Sequence, residues 1–86
     1  MKLRSTIVLT QSDNFTYAMD IGESDSKVFK FESVASFFIR ELHKQKDKEE
    51  IIQGSLKEFS DCTEVQVRED FEKFLKSAGE FGLLQR

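Results

Sequence analysis

The stretch from Thr63 to Leu84, TEVQVREDFEKFLKSAGEFGLL, decides how the chain is read. Thr63 followed three places later by Gln66 has the form of a capping box, in which each side chain satisfies an orphan amide at a helix start. Val67, Phe71, Phe74 and Ala78 then recur at helical spacing, with Leu75 widening the stripe. Three acids stand four residues before bases: Glu64 before Arg68, Glu69 before Lys73, Glu72 before Lys76. Each such pair adds only about 0.2–0.5 kcal/mol, but together they fix the helical register. Gly79 and Gly82 are stop signals. The apolar stripe reads as a core face; a sharper reading has its edge line a groove as well.

Upstream, the period changes. Residues 2–10 alternate loosely and read as a strand, followed by a turn at Gln11-Ser12-Asp13-Asn14. Phe15, Tyr17, Met19 and Ile21 alternate with Thr16, Ala18 and Asp20, the cleanest strand pattern in the chain. Residues 22–26 break it, and Val28-Phe29-Lys30-Phe31 forms a third, shorter strand. From Ser33, a candidate cap, Val34, Phe37, Phe38 and Leu42 fall on one helical side, and the polar run HKQKDK ends that helix. Asp47 with Glu50 opens a second helix, with Ile51, Ile52, Leu56 and Phe59 apolar and Gly54 a weak point. The expected fold is α+β: a three-stranded antiparallel meander followed by three helices, winged helix-turn-helix-like, in one domain spanning residues 1–86.

Composition narrows the function. The net charge of −3 disfavours nucleic acid and anionic membranes, which want clustered Lys and Arg. A lone Cys62 cannot form an intramolecular disulfide, and neither a signal peptide nor a membrane-length apolar run is present, so the cytoplasm is the default compartment. Neither Cys62 nor the single His43 has a second Cys or His beside it, so a zinc site has no ligand set and no cofactor is expected. There is no nucleophile–base set and no phosphate-cradling loop. Glu69, Asp70 and Glu72 point in different directions on a helix, so no enzyme is expected.

The residues resemble the PqqD-like family of peptide chaperones, the precursor-peptide recognition elements of ribosomally made, post-translationally modified peptide pathways. The resemblance runs from about Tyr17 to Leu84. It rests on Phe29-Lys30-Phe31-Glu32, on Ala35 with Phe37, Phe38 and Ile39, and on Val67, Asp70, Phe71, Phe74 and Leu75 before Gly82-Leu83-Leu84. Glu32 stands where the family prefers Asn, and His43–Asp47 replaces a shorter Asp-Gly turn. The resemblance implies that a precursor's leader segment binds as an extra strand on the third strand's edge. It also implies presentation to a modifying enzyme, such as a radical-SAM enzyme, a cyclase or a leader peptidase. An exposed edge is a template for such β-augmentation. The expected peptide-binding residues are Val28, Phe29, Lys30 and Phe31 on the strand, and Val67, Arg68, Asp70, Phe71 and Phe74 on the third helix. Two alternatives stand beside this: a winged-helix DNA-binding regulator, and a dimerisation module using the same edge. Against the regulator, the third helix carries Glu64, Glu69, Asp70, Glu72 and Glu80 against only Arg68, Lys73 and Lys76, a balance that repels a duplex.

Overall fold

The computed structural model describes residues 2–22 and 27–85. Its elements are β1 (Ile7–Ser12), β2 (Phe15–Asp20), β3 (Val28–Glu32), α1 (Ser33–His43), α2 (Lys48–Glu58) and α3 (Glu64–Glu80). The sheet is antiparallel in the order β1-β2-β3, so the fold is the expected α+β meander followed by three helices. The break expected at residues 22–26 falls, apart from Gly22, outside the described residues.

The first strand differs from expectation. It begins at Ile7 rather than residue 2, because residues 2–4 are engaged elsewhere. Leu3 bridges to Leu84, the Arg4 amide donates to the Leu83 carbonyl at 2.9 Å, and the Gln85 amide donates to the Lys2 carbonyl at 2.7 Å. Near its far end, Gln11 and Ser12 belong to the strand, and the turn shrinks to Asp13-Asn14 with Asp13 at φ +50°. A positive φ at the first loop residue suits the twist of a two-residue hairpin.

Helix starts follow two different solutions. Asp47 and Glu50 form the expected capping box, with the Glu50 amide donating to Asp47 at 2.9 Å. The Thr63 hydroxyl accepts from the Gln66 amide. Ser33, however, does not cap α1. The N-cap is Glu32, which makes no side-chain cap bond, and Ser33 is the first helical residue at φ +52°. The chain therefore turns from β3 into α1 with no loop between them. Of the three expected ion pairs along α3, Glu64–Arg68 forms, whereas Glu72 turns to Lys48 on α2. Tertiary partners outcompete pairs that each contribute a few tenths of a kcal/mol.

α1 packs on β2 and β3, the end of α3 reaches the same face through Phe74 and Phe81, and α2 packs behind them on α1 and α3. Ile7, Ala18 and Phe31 meet Phe38, Ile39, Ile51, Val67, Phe71 and Phe74 in the core. Phe38 stands edge-on to Phe71 with ring centroids 5.0 Å apart, and Phe74 packs beside both. One polar pair lies in this layer: Thr16 and Ser36 satisfy each other at 2.6 Å, which meets the requirement that buried hydroxyls be bonded. Phe71 is fully buried, so Phe71→Ala is expected to cost about 3–5 kcal/mol. In a domain of this size that lowers the melting midpoint by roughly 15 °C or more, as read by circular dichroism.

Candidate functional site

Which backbone groups of β3 face outward follows from one hydrogen bond. Ile21 and Thr6 continue the β1–β2 register, and the Ile21 amide donates to the Thr6 carbonyl at 3.1 Å. In an antiparallel pair, bonded and non-bonded positions alternate. Odd-numbered residues of β2 therefore bond to β1, and Thr16 and Ala18 bond to β3. Their partners there are Phe31 and Phe29. The amides and carbonyls of Phe29 and Phe31 thus point inward, and those of Val28 and Lys30 point to the open side. Glu32 offers its N–H there as well, while its carbonyl, as an N-cap's, enters the first turn of α1.

Beside this edge runs a groove of about 400 Å³ between β3, the start of α1 and α3. Phe31 and Phe74 form its floor, with Val34 and Ala35 at the α1 end. On α3, Asp70, Lys73, Phe74 and Ser77 share one helical stripe, and Phe81, the C-cap, closes the far end. Phe81 stacks on Phe29 with centroids 4.5 Å apart and meets Phe31 edge-on at 6.5 Å. Its position is fixed from outside the helix. Gly82 reverses the chain at φ +75°, and Leu83 is tied to Arg4 in the terminal ribbon. Arg4 lies 3.4 Å from Asp20, whose carboxylate is held below its ordinary pKa first by the Thr6 hydroxyl, then by the Gly22 amide and Arg4.

Four charged residues line the groove: Lys30, Glu32, Asp70 and Lys73. Lys30 Nζ lies 4.0 Å above the Phe15 ring and 3.5 Å from Glu32. Asp70 and Lys73 make no ion pair among the described residues, so both remain open to a ligand. Larger by volume, a hollow of about 660 Å³ lies between residues 4–6 and the end of α3, but it does not adjoin β3. Among the described residues no cluster of His, Cys, Asp and Glu is placed to hold a metal ion. Nor is any of their helices long and apolar enough to cross a membrane.

The expected site residues divide. Lys30, Phe31, Asp70 and Phe74 line the groove. Phe29 stands half-buried beneath Phe81, and Val28 is exposed at the start of the edge. Val67 and Phe71 are fully buried on the core side of the stripe and reach no surface of the groove. Arg68 lies on the α2 side of α3, forked onto Glu49 at 2.8 and 2.9 Å and bonded to Glu64. Those bonds raise the Arg68 pKa further and lower that of Glu49. Sequence reasoning missed Glu32, Val34, Ala35, Lys73, Ser77 and Phe81. Phe81 is 44% exposed, so Phe81→Ala is expected to keep the fold and cost about 1 kcal/mol of stacking. Thermal melts should show a midpoint lower by about 4–8 °C.

No family model matches the chain, and no curated protein matches it. Among solved structures, that of TbiB1 in complex with the TbiA(beta) leader peptide is similar to it, with a TM-score of 0.85. The two are 24% identical, and the match covers 99% of this chain and 95% of that one. The likeness bears out the fold that the resemblance to the PqqD-like family implies, and it shows the fold alone.

Proposed function

We propose that the chain binds the leader segment of a ribosomally made precursor peptide as a fourth strand along β3, and presents the precursor to an enzyme that modifies or cleaves it. One observation carries this reading: the unpaired backbone groups of Val28 and Lys30, with the Glu32 amide, run beside a groove walled by α3. Backbone pairing supplies affinity that tolerates different sequences, and alternate peptide side chains enter the groove over Phe31, Phe74 and Phe81. The similar structure of TbiB1 is itself a complex with a leader peptide, which supports the same use of the fold here. The partner enzyme is a radical-SAM enzyme, a cyclase or a leader peptidase, and the chain's own role is binding rather than chemistry. A duplex-binding role lacks comparable support, since Glu64, Glu69, Glu72 and Glu80 are all exposed along α3.

The test uses a displayed library of random peptides long enough to span the edge, selected on the immobilised protein and then measured by calorimetry. Selected peptides are expected to bind wild type. Lys30→Pro removes an outward N–H that the sheet does not use, so it should keep its fold and lose affinity by about tenfold or more. Lys30→Ala keeps the donor and should bind nearly as wild type. Phe29→Pro removes a donor used by β2 and should melt far lower. No selectable peptide, or a folded Lys30→Pro variant with unaltered affinity, would overturn strand addition at this edge.

A further inference from the structure

The α3 wall of the groove carries an acid, a base and a hydroxyl in a row. Asp70, Lys73 and Ser77 follow one another at steps of three and four residues. Such steps stand side chains about 5–6 Å apart on one stripe of a helix. Asp70 and Ser77 are half-buried and Lys73 is exposed. Among the described residues none of the three makes a side-chain hydrogen bond or an ion pair. The pair that spacing offers between Glu69 and Lys73 is not made, and Asp70 does not turn to Lys73 either. On the α2 side of the same helix, by contrast, Arg68 forks onto Glu49 and Glu72 reaches Lys48. The groove side thus keeps two opposite charges with no partner from this chain.

The spacing of those charges matches that of a strand. α3 runs back along β3, since Phe31 meets Phe74 and Phe29 stacks on Phe81. Residues paired across two strands share a face, so a strand added to β3 turns the side chains opposite Phe29 and Phe31 into the groove. Alternate side chains of a strand repeat about every 6.8 Å, close to the step along the stripe. The position opposite Phe31 lies level with Lys73, next to Phe74. One alternate step toward α1 lies level with Asp70, at the end of the groove that holds Val34 and Ala35. Toward Phe29, the same face meets Ser77 and Phe81. The other two charges of the groove, Lys30 and Glu32, stand on the outer face of the sheet, 3.5 Å apart, and offset each other. Sign is therefore read at two successive groove-side positions, where a matched charge attracts and a like charge repels.

We infer that the α3 wall selects peptides by charge, taking an acidic side chain against Lys73 and a basic one against Asp70, two residues apart in the bound strand. This rests on the peptide-binding reading and adds the class of sequence bound. In the test, a random-peptide library is selected in parallel on wild type and on the double reversal Asp70→Lys with Lys73→Asp. That variant keeps the net charge, and circular dichroism checks its fold. Peptides selected on wild type are expected to be enriched in one acid and one base two residues apart. The order reports strand direction, base before acid for a peptide running against β3 and the opposite for one running along it. The double reversal should select the same pair in inverted order. In calorimetry, wild type should bind a selected peptide about tenfold or more tighter than its charge-reversed counterpart. That preference should shrink in high salt, which screens exposed charges. Asp70→Asn and Lys73→Gln should each abolish the preference at one position and keep it at the other, whether or not the double reversal folds. Peptides that bind without the charge pair, or singly neutralised variants with both preferences intact, would overturn this inference and leave strand addition standing. So would an order that survives the double reversal. If no peptide is selected on wild type, the reading beneath it fails too.

Discussion

β3 gives both the rings and the amides of Phe29 and Phe31 to the interior, the rings toward α3 and the backbone toward β2. That double commitment fixes the rest of the edge. The alternate residues, Val28 and Lys30, are left with backbone groups facing the open side and side chains on the outer face. Aromatic contacts hold the inner set in place. Phe31 meets Phe74 at 5.8 Å and Phe81 at 6.5 Å, so the strand cannot shift by one residue without exposing both rings. The edge is thus rigid in register and unpaired at once, the condition for accepting a strand without first reorganising.

An unpaired edge is also a hazard, and the same residues limit it. β3 is only five residues long, Lys30 places a charge at its centre, and α3 with Phe81 overhangs one side. These features discourage indiscriminate pairing while leaving room for an extended segment whose side chains fit the groove. The Lys30 ammonium sits over the Phe15 ring and beside Glu32, so the protecting charge is partnered rather than free.

Much of this was legible in the sequence, for reasons that also define what was not. The stripe Val67, Phe71, Phe74, Ala78 is a matter of local period, and all four residues are buried as the period requires. Periodicity does not say which side of a stripe reaches the groove. By period alone Val67 and Phe71 group with Phe74, although a small rotation about the helix axis separates core from wall. Phe81 was invisible for a different reason. It lies beyond the stripe, and its partner Phe29 comes from a distant strand that only the tertiary fold brings near. The terminal ribbon of residues 2–4 with 83–85 is equally non-local, and it took three residues from the expected first strand. The outward set of β3 depends on hydrogen-bond parity carried across from β1, which side-chain alternation alone does not encode.

The groove shares its aromatic residues with the core, and this constrains how binding can be specific. Phe31 and Phe74 are 6 and 5% exposed, so each spends most of its surface on stability and presents only a rim to a ligand. On the proposed reading, a ligand gains little from deep burial there, and its affinity comes chiefly from backbone pairing, which is blind to sequence. Discrimination, on that reading, falls to the residues that line the groove without supporting the core: Lys73, Asp70 and Ser77. Those positions can vary at small cost in stability, since surface substitutions away from caps and networks usually stay within about 0.5 kcal/mol. If the chain binds as proposed, such a fold can keep one mode of binding while changing what it binds, because the groove residues Asp70, Lys73 and Ser77 are separable from the rings that hold the sheet to α3.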